Sequence, residues 1–127
     1  MAVLVALASE DEETIHQHFG RTTQFLIYEI DGTSFRFVEA RDNRPPCNSG
    51  SAGAGAPHDE DRMGQTIDLV ADCRAVLVAR IGPRAVQRLA ERGIGAFEAP
   101  NFIDPALRRL IASGALHETV TQAVRRV

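Results

Sequence analysis

The amino-acid sequence predicts a single α/β domain, residues 1–127, built on a five-stranded mixed sheet with helices on both faces. Three observations lead to this prediction: an apolar strand at the start of the chain, a hairpin pattern after it, and alternating helical and strand patterns in the second half. Such alternation is typical of parallel β-α-β units. With 127 residues and 44% apolar content, the chain has the size and composition of one domain with an ordinary core.

The first three predicted strands lie within the first 40 residues. Ala2–Ala8 is continuously apolar, as expected for a strand that is covered on both faces. After a polar segment, Gln24–Ile30 and Ser34–Ala40 flank the dipeptide Asp31-Gly32. Both residues of that dipeptide tolerate the positive φ angles of a tight turn, so the two strands are predicted to form a hairpin.

Elements of the second half are predicted from helical spacing and from boundary residues. A helix at about Glu60–Ala71 precedes a fully apolar strand at Ala75–Ala79. Pro83 begins a second helix, which Gly93 ends, because proline suits the first helical turn and glycine the residue after the last one. A further short strand follows at Ile94–Glu98.

Two more helices are predicted towards the C-terminus. Asp104-Pro105 caps the first of them, and Gly114 ends it. The tail at residues 115–127 carries apolar residues at helical spacing, which predicts a fourth amphipathic helix there: Leu116, Val120, Val124 and Val127.

Residues 41–61 interrupt this pattern and are predicted to form a flexible loop. The segment contains Pro45-Pro46 and then Asn48–Pro57, which consists almost entirely of glycine, alanine and serine. That composition does not build a packed element. Loops of this length inside a small domain are usually functional or disordered.

The predicted element order, β-β-β-α-β-α-β-α, restricts the topology. Right-handed crossovers place the last two strands parallel to the first and on its other side. We therefore predict the strand order 3-2-1-4-5 with the second strand antiparallel, a ribonuclease H-like arrangement. The segments after strands one, three and four then share one edge of the sheet, the carboxyl edge, where open α/β sheets bind ligands.

Charge and composition exclude several classes of function. The net charge of −3 and the pI of about 5.8 argue against a nucleic-acid binder, and no run of about 18 apolar residues is present to span a membrane. The two cysteines, Cys47 and Cys73, form no CxxC pair, which favours a reducing cytoplasm. The chain contains no nucleophile–base pair, Walker-type loop or GxGxxG motif, and Ala2–Ala8 lacks the carboxylates of a two-metal nuclease. A non-enzymatic protein is predicted.

Several motifs resemble one known family. His18-Phe19-Gly20-Arg21 followed by Phe25–Glu29 resembles the "HFGRA…FLIYE" opening of the dinitrogenase iron–molybdenum cofactor biosynthesis family, which includes NifX, NafY and the C-terminal domain of NifB. Asp72–Val78 and Ile81-Gly82-Pro83 agree with the same family, and Asn43–Cys47 looks most like the NifB tail. The resemblance covers roughly residues 2–113.

This resemblance implies a ribonuclease H-like domain that acts in nitrogen fixation. Such a domain binds or carries an iron–sulfur cluster or a precursor of the iron–molybdenum cofactor without catalysis. A cofactor-synthesis or nitrogenase protein is the implied partner. The chain lacks the CxxxCxxC motif of radical-SAM enzymes, so it does not carry out the catalytic half of NifB chemistry. The alternative, from a different class, is a metal-free regulatory or interaction domain that binds an anionic small molecule or a protein.

His18, Cys47 and His58 are the candidate metal ligands. By the resemblance, His18 is the residue that ligates the cofactor, and imidazole suits iron; it could also simply pack or cap at the start of the second strand. Cys47 offers the thiolate that iron–sulfur clusters prefer, although a cysteine in a loop can equally be incidental. His58 at the other end of the loop is either a ligand or a solvated residue before an acidic cap.

Gly20, Arg21 and Gly82 complete the candidate cofactor-binding set. The glycines leave room for a bulky cluster, and the helix that begins at Pro83 directs free N–H groups towards the same edge. Arg21, with Arg80, supplies positive charge that suits an anionic cluster and suits phosphate equally. Cys73 precedes the fourth strand and is therefore expected at the opposite edge, as a small buried apolar residue.

Overall fold

The structure, a computed structural model, describes residues 2–43, 59–118, 120 and 123–127, with residues 59–61 described as backbone only. The predicted flexible loop at residues 41–61 lies mostly outside the described residues. Cys47 and His58 also lie outside the described part of the chain.

The described residues form one sheet of six strands at the centre of the molecule, in the order β3-β2-β1-β4-β5-β6. β2 is antiparallel to β1 and β3, whereas β4 is parallel to β1, β5 to β4, and β6 to β5. The first five strands have the predicted order and directions; the prediction of five strands was wrong by one. The strands are β1 (Ala2–Ala8), β2 (Gln24–Asp31), β3 (Ser34–Asp42), β4 (Ala75–Val78), β5 (Gly95–Glu98) and β6 (Arg125–Arg126).

The C-terminal tail differs from its prediction. The expected fourth helix at residues 115–127 is absent from the described residues of that range, which form a 3₁₀ turn at Ala115–His117 and then β6. Gly114 adopts a left-handed φ of 72° and turns the chain away from the preceding helix. Leu116 is buried in the 3₁₀ turn and Val127, directly after β6, packs against the same core, whereas Val124 is exposed, so the apolar spacing does not mark one face of a helix.

Within the residues that the structure describes, three helices cover the sheet: α1 (Asp59–Leu69), α2 (Pro83–Glu91) and α3 (Ile103–Ser113). Pro83 occupies the first turn of α2, and Gly114 caps α3 in the left-handed conformation, both as predicted. Asp104 is not the cap of α3; the N-cap is Phe102, without a side-chain hydrogen bond. Asp104 lies in the first helical turn, where a carboxylate interacts favourably with the helix dipole.

Alternate residues of the central strand face two separate cores. Val5 and Leu7 belong to the core beneath α3, which includes Leu107 and Leu110. Ala6 and Ala8 belong to the opposite core, to which α1 and α2 contribute Ile67, Val86 and Leu89. Residues 5–8 of β1 are completely buried, which explains why this strand has a continuous apolar sequence. Helices on both faces are therefore confirmed.

The carboxyl edge of the sheet holds the segment that follows β1. The backbone N–H of His16 donates to the carbonyl of Ala8 (3.2 Å), and that of Phe19 donates to the carbonyl of Arg80 (2.9 Å). The chain after β1 is therefore fixed beside the chain after β4. In the part of the chain that the structure describes, no helix is both long and apolar enough to cross a membrane.

Candidate functional site

The segment from residue 15 to residue 19 runs along the carboxyl edge with alternating exposure. Ile15 and Phe19 are buried, whereas His16 and His18 are exposed. Phe19 packs against Phe25, with ring centroids 6.1 Å apart, and begins the 3₁₀ turn Phe19–Arg21. A buried aromatic side chain thus anchors the turn that displays the predicted site residues.

A cavity of about 500 Å³ lies between this turn, α1 and the start of α2. We call it the rim groove. Its lining combines apolar residues with arginines, and it includes two glycines. The lining residues are Phe19, Gly20, Arg21, Arg62, Met63, Thr66, Gly82, Pro83, Arg84 and Ala85.

The described lining of the rim groove carries positive charge. Arg21, Arg62 and Arg84 contribute to it, and none of the described lining residues is acidic. α2 begins at the groove, and its first turn contains no acidic residue to neutralise the positive end of the helix dipole. These charges favour an anionic ligand.

A buried polar network fixes the end of β3 against the groove. Asn43 is 8% exposed, and its side-chain amide donates to the carbonyl of Thr22 (2.8 Å) and to Oγ1 of Thr66 (3.1 Å). Nη2 of Arg62 donates to the carbonyl of Asn43 (2.8 Å). β3, the turn before β2, and α1 are therefore held together at one point beside the rim groove.

Gly20 and Gly82 have no steric reason within the described structure to be glycine. A Cβ atom added at either position meets nothing within 4 Å, and neither residue has a positive φ. Gly93 and Gly114, by contrast, have φ angles of 75° and 72° that disfavour other residues. The two groove glycines face open space, as expected where a ligand approaches the backbone closely.

His18 directly precedes the turn that lines the rim groove, but it is not itself one of the lining residues. Its backbone pairs with Arg80, and its carbonyl accepts a hydrogen bond from Oγ1 of Thr22 (2.8 Å). The side chain is exposed, and within the described residues it makes no hydrogen bond. The main chain is therefore fixed while the imidazole stays available.

The structure brings Gly20, Arg21 and Gly82 together in one groove, with His18 next to it. Arg80 contacts the site segment through its backbone carbonyl, which accepts the hydrogen bond from Phe19, and it is not a lining residue. Cys73 lies at the opposite edge of the sheet and is 5% exposed, as predicted. Burial raises the pKa of its thiol to about 12. A protonated, enclosed thiol of this kind is a poor metal ligand.

Sequence reasoning missed three groove residues, Arg62, Thr66 and Arg84. Arg62 and Thr66 are four residues apart on α1, so they share one helix face. That spacing was a usable signal for a shared polar surface on the helix predicted at about Glu60–Ala71. No group of three or more His, Cys, Asp or Glu side chains suited to a metal ion occurs among the described residues.

A second cavity of about 460 Å³ lies on the α3 side of the same edge. We call it the rim pocket. It is wide open and mainly apolar, and Phe102 on its border is 58% exposed. Its lining residues are Thr14, Ile15, His16, Ala79, Pro100, Asn101 and Phe102. His16 therefore lines the rim pocket, and His18 directly precedes the turn that lines the rim groove.

Comparison with known proteins supports one family. The model of the family described as dinitrogenase iron–molybdenum cofactor matches residues 1–113. The FeMo cofactor biosynthesis protein NifB of Frankia alni is 35% identical over 108 residues, which is 85% of this chain and 21% of that protein. The chain thus spans about a fifth of the length of this relative.

Two shorter relatives also match most of this chain. The protein NifX of Rhodobacter capsulatus is 32% identical over 92 residues, which is 71% of this chain and 55% of NifX. The protein NifY of Azotobacter vinelandii is 30% identical over 93 residues, covering 73% of this chain and 34% of NifY.

Solved structures share the fold. The crystal structure of PH0822 superimposes with a TM-score of 0.64 at 21% identity and covers 87% of this chain and 91% of that chain. The protein mj0327 of Methanocaldococcus jannaschii gives a TM-score of 0.53 at 13% identity, covering 89% of this chain and 91% of that chain. At these identities the likeness concerns the fold alone.

Proposed function

This chain belongs to the dinitrogenase iron–molybdenum cofactor family, and from that membership we propose that it binds and carries an iron–sulfur-based metal cofactor or its precursor. The observation that carries this proposal is an exposed imidazole, His18, on a fixed backbone beside the positively charged lining of the rim groove. The donor suits iron, and the groove suits a bulky anion. The ribonuclease H-like class is part of the same proposal, supported by the strand order and the antiparallel β2.

In this proposal His18 anchors the cluster and the rim groove receives it. Arg21, Arg62 and Arg84 supply positive charge, which a thiolate- or sulfide-rich cluster balances. Gly20 and Gly82 let the cluster approach the backbone, because no side chain occupies that space. The groove volume, about 500 Å³, is within the range of small-ligand sites.

Cys47 and His58 are proposed as auxiliary ligands. Each is close in sequence to a described residue of the site. Cys47 is four residues after Asn43, whose side chain bonds to Thr66 of the groove. Four extended residues span at most about 14 Å. His58 directly precedes α1, the helix that contributes Arg62 to the groove lining. The length of chain alone therefore allows both residues to reach the site.

The proposed role is transport without chemistry. A carrier needs a donor atom for the metal, charge complementary to the cargo and space for the cargo to enter. In this proposal His18, the groove arginines and the two glycines supply them. A cofactor-synthesis or nitrogenase protein is the proposed partner, and the reducing cytoplasm the proposed compartment, since an iron–sulfur cargo must be handed on and kept reduced. The same arginines would also attract phosphate, so a metal-free anion-binding domain is the alternative that the experiment must separate.

The test is anaerobic titration of the protein with a synthetic [4Fe–4S] cluster that bears exchangeable thiolate ligands, followed by visible absorption. We expect saturable uptake by the wild type, strong loss in His18→Ala, and none in Cys73→Ala. Gly20→Leu should fold normally yet bind weakly, because its side chain enters open groove space. Gly64→Ala is the matched control, since Gly64 lies on α1 outside the groove lining.

Two results would contradict the proposal. If the wild type takes up no cluster but binds inorganic phosphate in an arginine-dependent manner, the metal-free alternative is correct. If uptake is lost in Cys73→Ala and kept in His18→Ala, the cargo does not bind at the carboxyl edge. Circular dichroism of each variant must first confirm that the protein is folded.

A further inference from the structure

The described residues on the two sides of the carboxyl edge carry opposite charge. Arginines line the rim groove, whereas acidic residues flank the rim pocket. We propose that the rim pocket is the docking site of a partner protein, which inserts an apolar side chain flanked by lysine or arginine residues. This inference goes beyond the proposed function, because it concerns a separate surface and does not depend on what the rim groove carries.

The rim pocket and the rim groove lie on opposite faces of the sheet. Ile15 lines the rim pocket and belongs to the core beneath α3. Phe19 lines the rim groove and belongs to the core beneath α1 and α2. The two cavities share no described lining residue. A partner seated in the rim pocket would therefore lie beside the groove without occupying it.

The rim pocket presents apolar surface to solvent. Phe102 on its border is 58% exposed, more than any other large apolar side chain in the part of the chain that the structure describes. Pro100, in the same lining, is exposed as well. Phe102 is the N-cap of α3 but makes no side-chain capping bond, so the helix does not need its ring. An exposed aromatic ring at an open apolar cavity is typical of an interaction surface.

Backbone pairing fixes the two segments that form the pocket. Thr14 and Phe102 form an antiparallel bridge. The N–H of Ile15 donates to the carbonyl of Asn101 (2.9 Å), and the N–H of Ile103 donates to the carbonyl of Glu13 (2.9 Å). The lining is therefore formed before a partner arrives, which lowers the entropic cost of docking.

Exposed carboxylates lie next to the pocket lining. Glu13 directly precedes Thr14, and Asp104 follows Phe102 by two residues. Within the described residues neither carboxylate forms an ion pair. Residues 10–12 are acidic and exposed too. The described lining of the pocket contains no arginine or lysine to offset these charges.

This charge distribution selects a basic partner and disfavours a second copy of the chain. In a two-fold dimer the same patch meets itself, so Glu13 and Asp104 of both copies would approach one another, and like charges repel. A basic segment is attracted by the same carboxylates. The arginines of the rim groove repel that segment, which directs it to the α3 side of the edge.

The inference is tested with a synthetic peptide, acetyl-Gly-Lys-Lys-Leu-Lys-Lys-Gly-amide, titrated into the isotopically labelled full chain and followed by proton–nitrogen NMR. We expect saturable shifts of the backbone signals of residues 13–16 and 101–104, around the pocket lining, and none along the rim groove. The same peptide with serine in place of leucine should bind at least about fivefold more weakly, because the apolar contact is lost.

Two variants with matched controls locate the binding surface. Phe102→Ala removes the exposed ring, and Glu13→Lys reverses one charge; each should weaken binding of the leucine peptide at least about fivefold. Phe37→Ala removes another exposed ring, 48% exposed on β3, and Glu91→Lys changes the net charge equally at the end of α2. Neither control residue lines the rim pocket, so both should bind as the wild type does. Circular dichroism must show that all four are folded.

Several results would overturn the inference. It is wrong if the leucine peptide causes no saturable shifts, or if the serine peptide binds as tightly. It is equally wrong if Phe102→Ala or Glu13→Lys binds as the wild type does. Sedimentation velocity tests the remaining occupant: self-association of the wild type that Phe102→Ala abolishes would show that a second copy fills the pocket.

Cluster titration keeps this inference separate from the proposed function. Phe102→Ala should take up the cluster as the wild type does, since Phe102 is not among the groove residues. Peptide binding at the rim pocket without cluster uptake by the wild type would support the docking site and refute the carrier function. Cluster uptake without peptide binding would refute the docking site and leave the carrier function standing.

Discussion

Cys73 and His18 differ in their exposure to a ligand because they occupy opposite edges of the sheet. His18 follows β1 at the carboxyl edge, where the chain meets the end of β4 through its pairing with Arg80. Cys73 precedes β4 and belongs to the core beneath α1 and α2. A donor that is exposed on a fixed backbone can bind a ligand, whereas a buried thiol mainly fills space.

Cys73 is expected to be inert in the native protein. Burial raises the pKa of its thiol to about 12, so almost no thiolate exists near pH 8. In Cys47→Ala, which leaves Cys73 as the single cysteine, a thiol reagent such as 5,5′-dithiobis(2-nitrobenzoic acid) should react only after unfolding in guanidinium chloride. Rapid labelling of the folded variant would mean that the thiol is accessible.

Asn43 is expected to matter for stability more than a typical polar residue. Asn43→Ala removes the amide that donates to the Thr22 carbonyl (2.8 Å) and to Thr66 Oγ1 (3.1 Å) in a buried location. Loss of a buried partner typically costs about 1–3 kcal/mol per group left unsatisfied. Urea denaturation should therefore give a free energy of unfolding lower by about that amount.

The control for Asn43 is Gln24→Ala. Gln24 also makes a side-chain bond to a backbone carbonyl, that of Ser9 (3.1 Å), but it is only partly buried. We expect a smaller loss there, about 0.5–1.5 kcal/mol. An Asn43 variant no less stable than the Gln24 variant would show that the network is not structurally important.

At the level of the elements, an ion pair joins β3 to the end of α1. Arg41 donates to both carboxylate oxygens of Asp72, at 2.7 and 2.9 Å, and to the carbonyl of Leu69 (2.9 Å). Hydrogen bonds from Arg41 lower the pKa of Asp72. The pair thus ties the edge strand to the connection between α1 and β4.

The stability contributed by Asp72 should depend on pH. Its pKa is lower in the folded than in the unfolded state, so its contribution is complete above the unfolded value of about 3.9 and is lost as the pH falls through the folded value. Asp72→Asn should lower the free energy of unfolding by about 0.5–1 kcal/mol at pH 7, since the carboxylate is half exposed. Urea denaturation should show this difference shrinking below about pH 4. A constant difference from pH 7 to pH 3 would exclude this explanation.

At the level of the whole molecule, the topology of five strands followed from local signals. The Asp31-Gly32 turn joins β2 to β3, and two right-handed crossovers place β4 and β5 beside β1. β6 had no such signal, because Arg125 and Arg126 lack apolar alternation. It forms where the edge of β5 is available and where the guanidinium of Arg125 lies 5.8 Å from the Phe97 ring centroid.

Part of the candidate site was likewise predictable from the sequence, and part was not. Gly20, Arg21 and Gly82 follow from motifs at the carboxyl ends of strands, and topology alone brings them to one edge. Arg62 and Thr66 reach the rim groove because α1 packs with that face towards the Phe19–Arg21 turn. The four-residue spacing of Arg62 and Thr66 places them on one helix face, but tertiary packing decides which way that face points on the sheet.

These observations lead to a prediction about the C-terminus. The family model ends at residue 113, and β6 adds only two residues at the far edge of the sheet, away from the rim groove. A chain ending at Glu118 should therefore keep its fold, bind the cluster as the full chain does, and lose about 1–2 kcal/mol of stability in urea denaturation.

The Ala115–His117 turn should matter more, because Leu116 is 8% exposed and belongs to the core beneath α3. Leu116→Ala in the full chain is expected to cost about 2–5 kcal/mol. A truncated chain that unfolds or loses cluster binding, beside a stable Leu116 variant, would mean that β6 and not the turn secures this edge of the molecule.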